Sequence, residues 1–216
     1  MEQSGPYTVF SVPGWGSALA EAMVALCGLP LQIEDVTGFD RPGEARDRLV
    51  RVNPLGQVPT LLLPDGPVMT ESGAIALLLS ERHPEAGLAP RPESPSRPAF
   101  LRRLIWLVAN VYPTFTYGDY PQRWVSEETK ALRTSTDTYR ENLWRQFESD
   151  VGDGDGNWVL GPEFSALDVY VAVMTHWRPR RAWFARECPR LSAIAARVDE
   201  HPILGAVLRR NFPAAA

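Results

Sequence analysis

The chain is poor in the residues that build disulfide frameworks, metal cages and membrane spans. Only Cys27 and Cys188 are cysteine, and only three of 216 residues are histidine, so neither a disulfide scaffold nor a metal site is expected. No apolar run reaches the roughly 18 residues of a membrane span, and residues 1–6 form a loose tail that does not read as a signal peptide. Positive charge is not in surplus: 22 Lys and Arg stand against 26 Asp and Glu, a net charge of −4. Nucleic acid and membrane are therefore not expected as partners, and a cytoplasmic protein is expected. What remains is an ordinary globular composition, 44% hydrophobic and 22% charged, in a chain long enough for one large domain or two small ones.

Turn residues and periodicity divide the chain. Residues 7–12 form a β-rich run stopped by Pro13-Gly14. Ser17 fits a helix N-cap, with Leu19, Met23 and Leu26 at helical spacing and Gly28 as the stop. Residues 31–36 read as a strand whose apolar start points to burial, and 44–52 as a short charged helix. A hairpin and a helix from Ser72 to about Arg82 follow. The order is β-α-β-α-β-β-α, with a parallel, right-handed first βαβ unit. Five prolines between His83 and Pro98 mark a linker. Beyond it the pattern is helical: 97–112, interrupted or kinked at Pro113; 127–149, with Leu132, Tyr139, Leu143 and Phe147 in one stripe; a helix opening at Ser165; then 189–197 and 202–209. Ser165 and Asp168 are spaced as a capping box, with Phe164 and Val169 as its hydrophobic staple. GDGDGN at 152–157 lacks the bidentate Glu of a calcium loop and reads as a surface turn.

One stretch organises the rest: NPLGQVPTLLLPDGPVMTES, residues 53–72. Pro64-Asp65-Gly66 is a turn between two short apolar runs. Pro59 opens the first run, where it removes a ladder donor. A cis Val58-Pro59 bond would place Val58's peptide groups at an open strand edge. Beside a helix start, such an edge suits an extended peptide carrying a carboxylate, and Glu71 suits its ammonium group.

This stretch resembles the glutathione-binding half of the thioredoxin-like domain of soluble glutathione transferases. The resemblance implies that Val58 pairs with the tripeptide, that Pro59 is cis, and that Glu71 and Ser72 hold the γ-glutamyl end. Gln57 matches a position that contacts the ligand backbone. The capping box resembles the folding signal of the family's helical domain. The expected fold class is α/β plus all-α: a thioredoxin-like domain at 1–83, a linker at 84–98 and a helical domain at 99–216. Glutathione as co-substrate, an apolar electrophile and a homodimer come with the resemblance.

Glutathione reacts as a thiolate, while a free thiol titrates near 8.5. The stretch that should lower that value is FSVPGWGS, residues 10–17. Against the family's patterns, the activating Tyr falls at Ser11, the Ser at Gly14 and the Cys at Gly16. None of the three usual residues is in its place. Two readings remain. In one, the Gly16 and Ser17 amides and the Ser17 hydroxyl hold the sulfur at a helix N-terminus; in the other, glutathione binds but transfers poorly. Ser17 also reads as a plain helix cap, and Ser11 as a strand residue. Without a cysteine at 14–17, dithiol exchange is not expected. A disulfide reductase or peroxidase using glutathione's own sulfur, or a non-catalytic scaffold, are the rival functions. The electrophile is expected between the domains, lined by Trp15, Tyr112 and Tyr117, where Pro113, Gly118 and Pro121 should break the helix and expose rings.

Overall fold

The computed structural model describes residues 5–152 and 156–213. Residues 1–4 of the expected tail and Asp153–Asp155 of the GDGDGN turn lie outside the described residues. The chain forms two compact units: residues up to Ala89 together with those from Arg197 on, and Pro90–Ala196.

The first unit is built on a four-stranded sheet in the order β2-β1-β3-β4. Strand β1, Tyr7–Ser11, pairs parallel with β2, Leu31–Asp35, and antiparallel with β3, Thr60–Leu62. Strand β4, Val68–Met69, closes the hairpin on β3. Flanked on both sides, β1 is largely buried, as its apolar run requires. The burial expected for β2 is not found: none of its five residues is buried. A strand at the sheet edge keeps one side open, and Gln32, Glu34 and Asp35 suit that position. Helices α1 (Ser17–Leu26), α2 (Glu44–Val52) and α3 (Ser72–Arg82) occupy the expected places. Cys27 follows α1 and is only partly buried; burial, aided by the Glu85 charge, pushes its thiol up to about 12, which leaves it inert.

The second unit is helical apart from isolated bridges at residues 158–163. Helix α4, Arg97–Trp106, continues through a π-helical segment, Leu107–Val111, into α5, Tyr112–Asp119. Pro113 therefore does not interrupt the helix. The wider i→i+5 turn, in which the Tyr112 N–H bonds the Leu107 carbonyl, absorbs the proline, and the Asn110 side chain caps the Trp106 carbonyl at 3.1 Å.

Helix α6, Thr129–Val151, buries Thr136, Arg140, Leu143, Trp144, Phe147 and Val151. Tyr139, expected on that stripe, is exposed, and Arg140 lies inside instead. Its guanidinium covers the Phe115 ring at 4.3 Å and pairs with Asp137. A buried cation at a stripe position is invisible to a count of apolar spacing.

Helix α7, Ala166–Met174, opens with the expected capping box. The Ser165 amide donates to Asp168 Oδ2 at 2.8 Å, and the Leu167 amide donates to Ser165 Oγ at 3.3 Å. Phe164 packs edge-on against Trp158. Helix α8, Arg181–Glu187, was not legible in the charged run around it; Trp183 and Phe184 supply its buried side.

Helix α9, Pro189–Asp199, leads to α10, Leu204–Asn211. The span 99–216 does not stay together, because the chain from Arg197 on clusters with the thioredoxin-like unit. There α10 packs along α1.

Candidate functional site

The main chain at residues 53–60 is braced from inside by a buried Asn-Thr pair. Asn53 Nδ2 donates to the Gln57 carbonyl at 3.1 Å and to Thr60 Oγ1 at 3.0 Å, while the Thr60 hydroxyl donates to the same carbonyl at 2.8 Å. Asn53 Oδ1 receives the Leu55 amide, and its own carbonyl receives the Gly56 amide. From sequence alone Asn53-Pro54 reads only as a turn; an Asn ahead of Pro followed seven residues later by Thr is the available signal.

With residues 55–57 so held, the Val58 side chain packs on the cluster of Phe10, Val12, Val36, Phe39 and Leu49. Neither the amide nor the carbonyl of Val58 has a hydrogen-bond partner among the described residues. The Val58-Pro59 bond is cis, as expected. Buried main-chain groups are almost always paired, so an open donor and acceptor at a half-buried position form a ready edge for an extended ligand.

Glu71 precedes α3 with φ 61 and ψ 106, a conformation rare outside glycine, and its side chain is exposed. Such positions cost roughly 1–3 kcal/mol and cluster where a side chain must be aimed. No side chain caps the start of α3, and the Ser72 hydroxyl makes no hydrogen bond among the described residues. The helix start thus offers open N–H groups, a hydroxyl and a nearby carboxylate. Those groups suit the carboxylate and ammonium ends of an amino acid. Gln57 is exposed.

The loop between β1 and α1 differs from expectation in its side chains. Ser17 has no exposed surface. Its hydroxyl donates to the Val12 carbonyl at 3.1 Å and accepts the Val12 amide at 3.1 Å and the Ser11 hydroxyl at 3.0 Å. Ser11 is also buried, and its single hydroxyl proton is shared between Ser17 Oγ and Glu21, a carboxylate 1% exposed on α1. The expectation that the Ser17 hydroxyl faces a ligand is thereby corrected: both hydroxyls point into the protein, because a buried Glu21 and the Val12 peptide groups need partners. Gly16, not Ser17, takes the N-cap position, without a side-chain cap. The amides of Gly16 and Ser17 have no partner among the described residues. Ser17→Ala would leave the Val12 amide without its acceptor and is expected to cost about 1–3 kcal/mol of stability, read from denaturant unfolding.

The aromatic residues do not form one cluster. Trp15, 37% exposed, packs edge-on against Phe39 at 5.2 Å, within its own unit. In the helical unit, Tyr112 meets Trp177 at 5.6 Å and Tyr117 meets Trp124 at 4.7 Å. Five residues apart on a helix, the two tyrosines point about 140° away from each other. Tyr117 and Trp124 are exposed, while Tyr112 is half-buried. Trp106 stacks on Phe147. Among the described residues, no group of three or more His, Cys, Asp and Glu could hold a metal. Among the described residues, no helix is long and apolar enough to cross a membrane.

A mixed four-stranded sheet with an open main-chain edge beside a helix start, followed by an all-helical unit, defines a thioredoxin-fold protein with an appended helical domain. Residues 20–82 match the family model for the N-terminal domain of glutathione S-transferases. The chain is 42% identical to the uncharacterized GST-like protein YncG of Escherichia coli K12, over 94% of this chain and 97% of that one. It is 26% identical to glutathione S-transferase GstA of Escherichia coli O157:H7, over 90% and 93% of the two chains. Among solved structures, a sphingomonad glutathione S-transferase complexed with glutathione superposes with a TM-score of 0.76 at 26% identity, covering 96% of this chain and 100% of that one. The chain belongs to the glutathione S-transferase family.

Proposed function

We propose that the chain is a glutathione transferase in activity as well as in descent, joining the glutathione sulfur to an apolar electrophile. The observation that carries the reading is the unpaired Val58 amide and carbonyl beside the strained, exposed Glu71. Val58 pairs with the cysteinyl peptide groups. Glu71 takes the ammonium of the γ-glutamyl end, and its carboxylate meets Ser72 and the start of α3. Gln57 contacts the ligand backbone, and Pro59 keeps the edge in place.

The thiol gives its proton to solvent water, and the sulfur lone pair forms the new C–S bond as the electrophile expels its leaving group or takes up the electrons and a proton from solvent. The sulfur is received at the start of α1, where Gly16 has no Cβ to bar close approach and the helix dipole favours a negative sulfur. Ser17 and Ser11 act behind it by holding the loop. Trp15 flanks this loop with an exposed ring. On the helical unit, Tyr117 with Trp124 presents an aromatic surface suited to a flat, apolar electrophile, and Tyr112 lies half-buried against Trp177. The relative named GstA and the sphingomonad structure with bound glutathione support this choice of ligand.

Turnover of a chloro-dinitro aromatic with glutathione tests the reading against turnover of a mixed disulfide. Conjugation is expected to dominate. Reduction of the disulfide alone would favour the rival in which glutathione's own sulfur acts as reductant. Absence of both, with no heat stabilisation by millimolar glutathione, would leave a scaffold. A cytoplasmic homodimer goes with this reading, supported by Leu101 and Ile105, exposed four residues apart on α4. A monomeric mass by light scattering at micromolar concentration would exclude it.

A further inference from the structure

The loop proposed to receive the sulfur is held by the far end of the chain. Gly14, at φ 83, donates its amide to Asn211 Oδ1 at 3.3 Å. A Cβ at Gly14 would lie 3.4 Å from the Asn211 carbonyl oxygen and 3.8 Å from the Phe212 ring, so the loop and the end of α10 are in close contact. The same Asn211 donates through Nδ2 to Glu21 Oε2 at 3.0 Å, and Arg210 pairs with that carboxylate. Glu21 in turn accepts the Ser11 hydroxyl, and Ser11 bonds the Ser17 hydroxyl that pins both polar groups of Val12. The turn from Val12 to Gly16 is thus closed from within by Ser17 and by the Trp15 amide on the Val12 carbonyl. At its middle it is tied from outside by Asn211.

We propose that Asn211 and Glu21 are positioning residues for the thiol, setting the loop that presents the Gly16 amide, and that α10 is a working part of the thioredoxin-like unit. This rests on the reading that glutathione binds with its sulfur at the start of α1. The physical ground is that a hydrogen-bond donor favours a thiolate only at fixed distance and angle. A glycine-rich turn left to its own freedom loses that geometry. The Val58 and Glu71 contacts lie on other elements, and neither residue is hydrogen-bonded to Gly14 or Asn211.

The test is an ultraviolet thiolate titration of bound glutathione, with calorimetric affinity and thermal melting alongside, in the whole protein. In Asn211→Ala the apparent thiol pKa is expected to rise by about one unit, about tenfold less thiolate near neutral pH, with kcat falling and glutathione affinity within about twofold. Arg210→Ala, which removes a Glu21 partner but leaves the Gly14 tie, is expected to lower the melting point without moving the titration. A folded Asn211→Ala with wild-type titration would overturn the proposal, as would an Arg210→Ala that shifts the thiol equally. A wild-type protein that binds glutathione without forming thiolate would remove the sulfur placement and this inference together. One that does not bind it would remove the functional reading itself.

Discussion

Glu71→Gly is expected to move binding and stability in opposite directions. Losing the carboxylate removes a hydrogen bond to a charged ammonium, an effect of about 1.5–3 kcal/mol, so glutathione affinity should fall by roughly ten- to a hundredfold by calorimetry. At φ 61 and ψ 106 the residue is strained by its Cβ, and glycine adopts such backbone without penalty. The melting temperature should therefore hold or rise. Glu71→Ala should weaken binding to the same extent without that gain. A glycine variant that binds as tightly as the parent would show that Glu71 does not hold the amine. One that binds weakly and also melts early would show that the strain estimate misses a structural contact.

Asp168→Ala is expected to be the most damaging single change to folding. The carboxylate is fully buried and accepts three hydrogen bonds, from the Val159 amide at 2.7 Å, the Ser165 amide at 2.8 Å and the Ser165 hydroxyl at 3.4 Å. Removing it strands two buried amides, each costing about 1–3 kcal/mol, so a loss of about 2–6 kcal/mol is expected in denaturant unfolding. Thiol titration of bound glutathione in the surviving folded fraction should not change.

The same group also makes stability depend on pH. Burial pushes the Asp168 carboxyl up to about 7, against the donated hydrogen bonds that pull it down. The folded state therefore holds this proton more tightly than the unfolded chain. Its contribution is complete below about pH 4 and is lost as the pH rises towards about 7. The stability gap between wild type and Asp168→Asn should narrow over that interval. A gap that widens instead would show that the three hydrogen bonds outweigh desolvation.

Residues that act locally were readable in the sequence. The Pro-Asp-Gly turn, the capping box and the order of the first seven elements follow from short-range chemistry, the cis proline from the family resemblance, and all are present. Misreadings arose where a residue's partner is distant or where sheet position overrides pattern. Strand 31–36 looked buried but became an edge. Pro113 looked like a break, yet a π turn carries the helix past it. Tyr139 fitted the apolar stripe, but the interior position went to Arg140, whose chain lies along a ring. Tyr112 and Tyr117 looked like one pocket wall and face different partners. Asn53 looked like a turn residue and is the internal brace of the ligand edge.

The sequence by itself determined the thioredoxin-like order of elements, the helical second half, the family and the short stretch around Val58 and Glu71. Each is encoded within a few residues, by turn chemistry, periodicity or a contiguous motif. Only the tertiary structure decided that the Ser11 and Ser17 hydroxyls face Glu21 and Val12, and that the last helix joins the first unit and ties Gly14. Glu21 is one carboxylate on α1, about 160° round the helix from Leu19 and Met23, the residues whose spacing marks the apolar face, and yet it is buried. Where its charge finds partners depends on Arg210 and Asn211, nearly two hundred residues away. A buried charge must be paired wherever the fold brings donors to it.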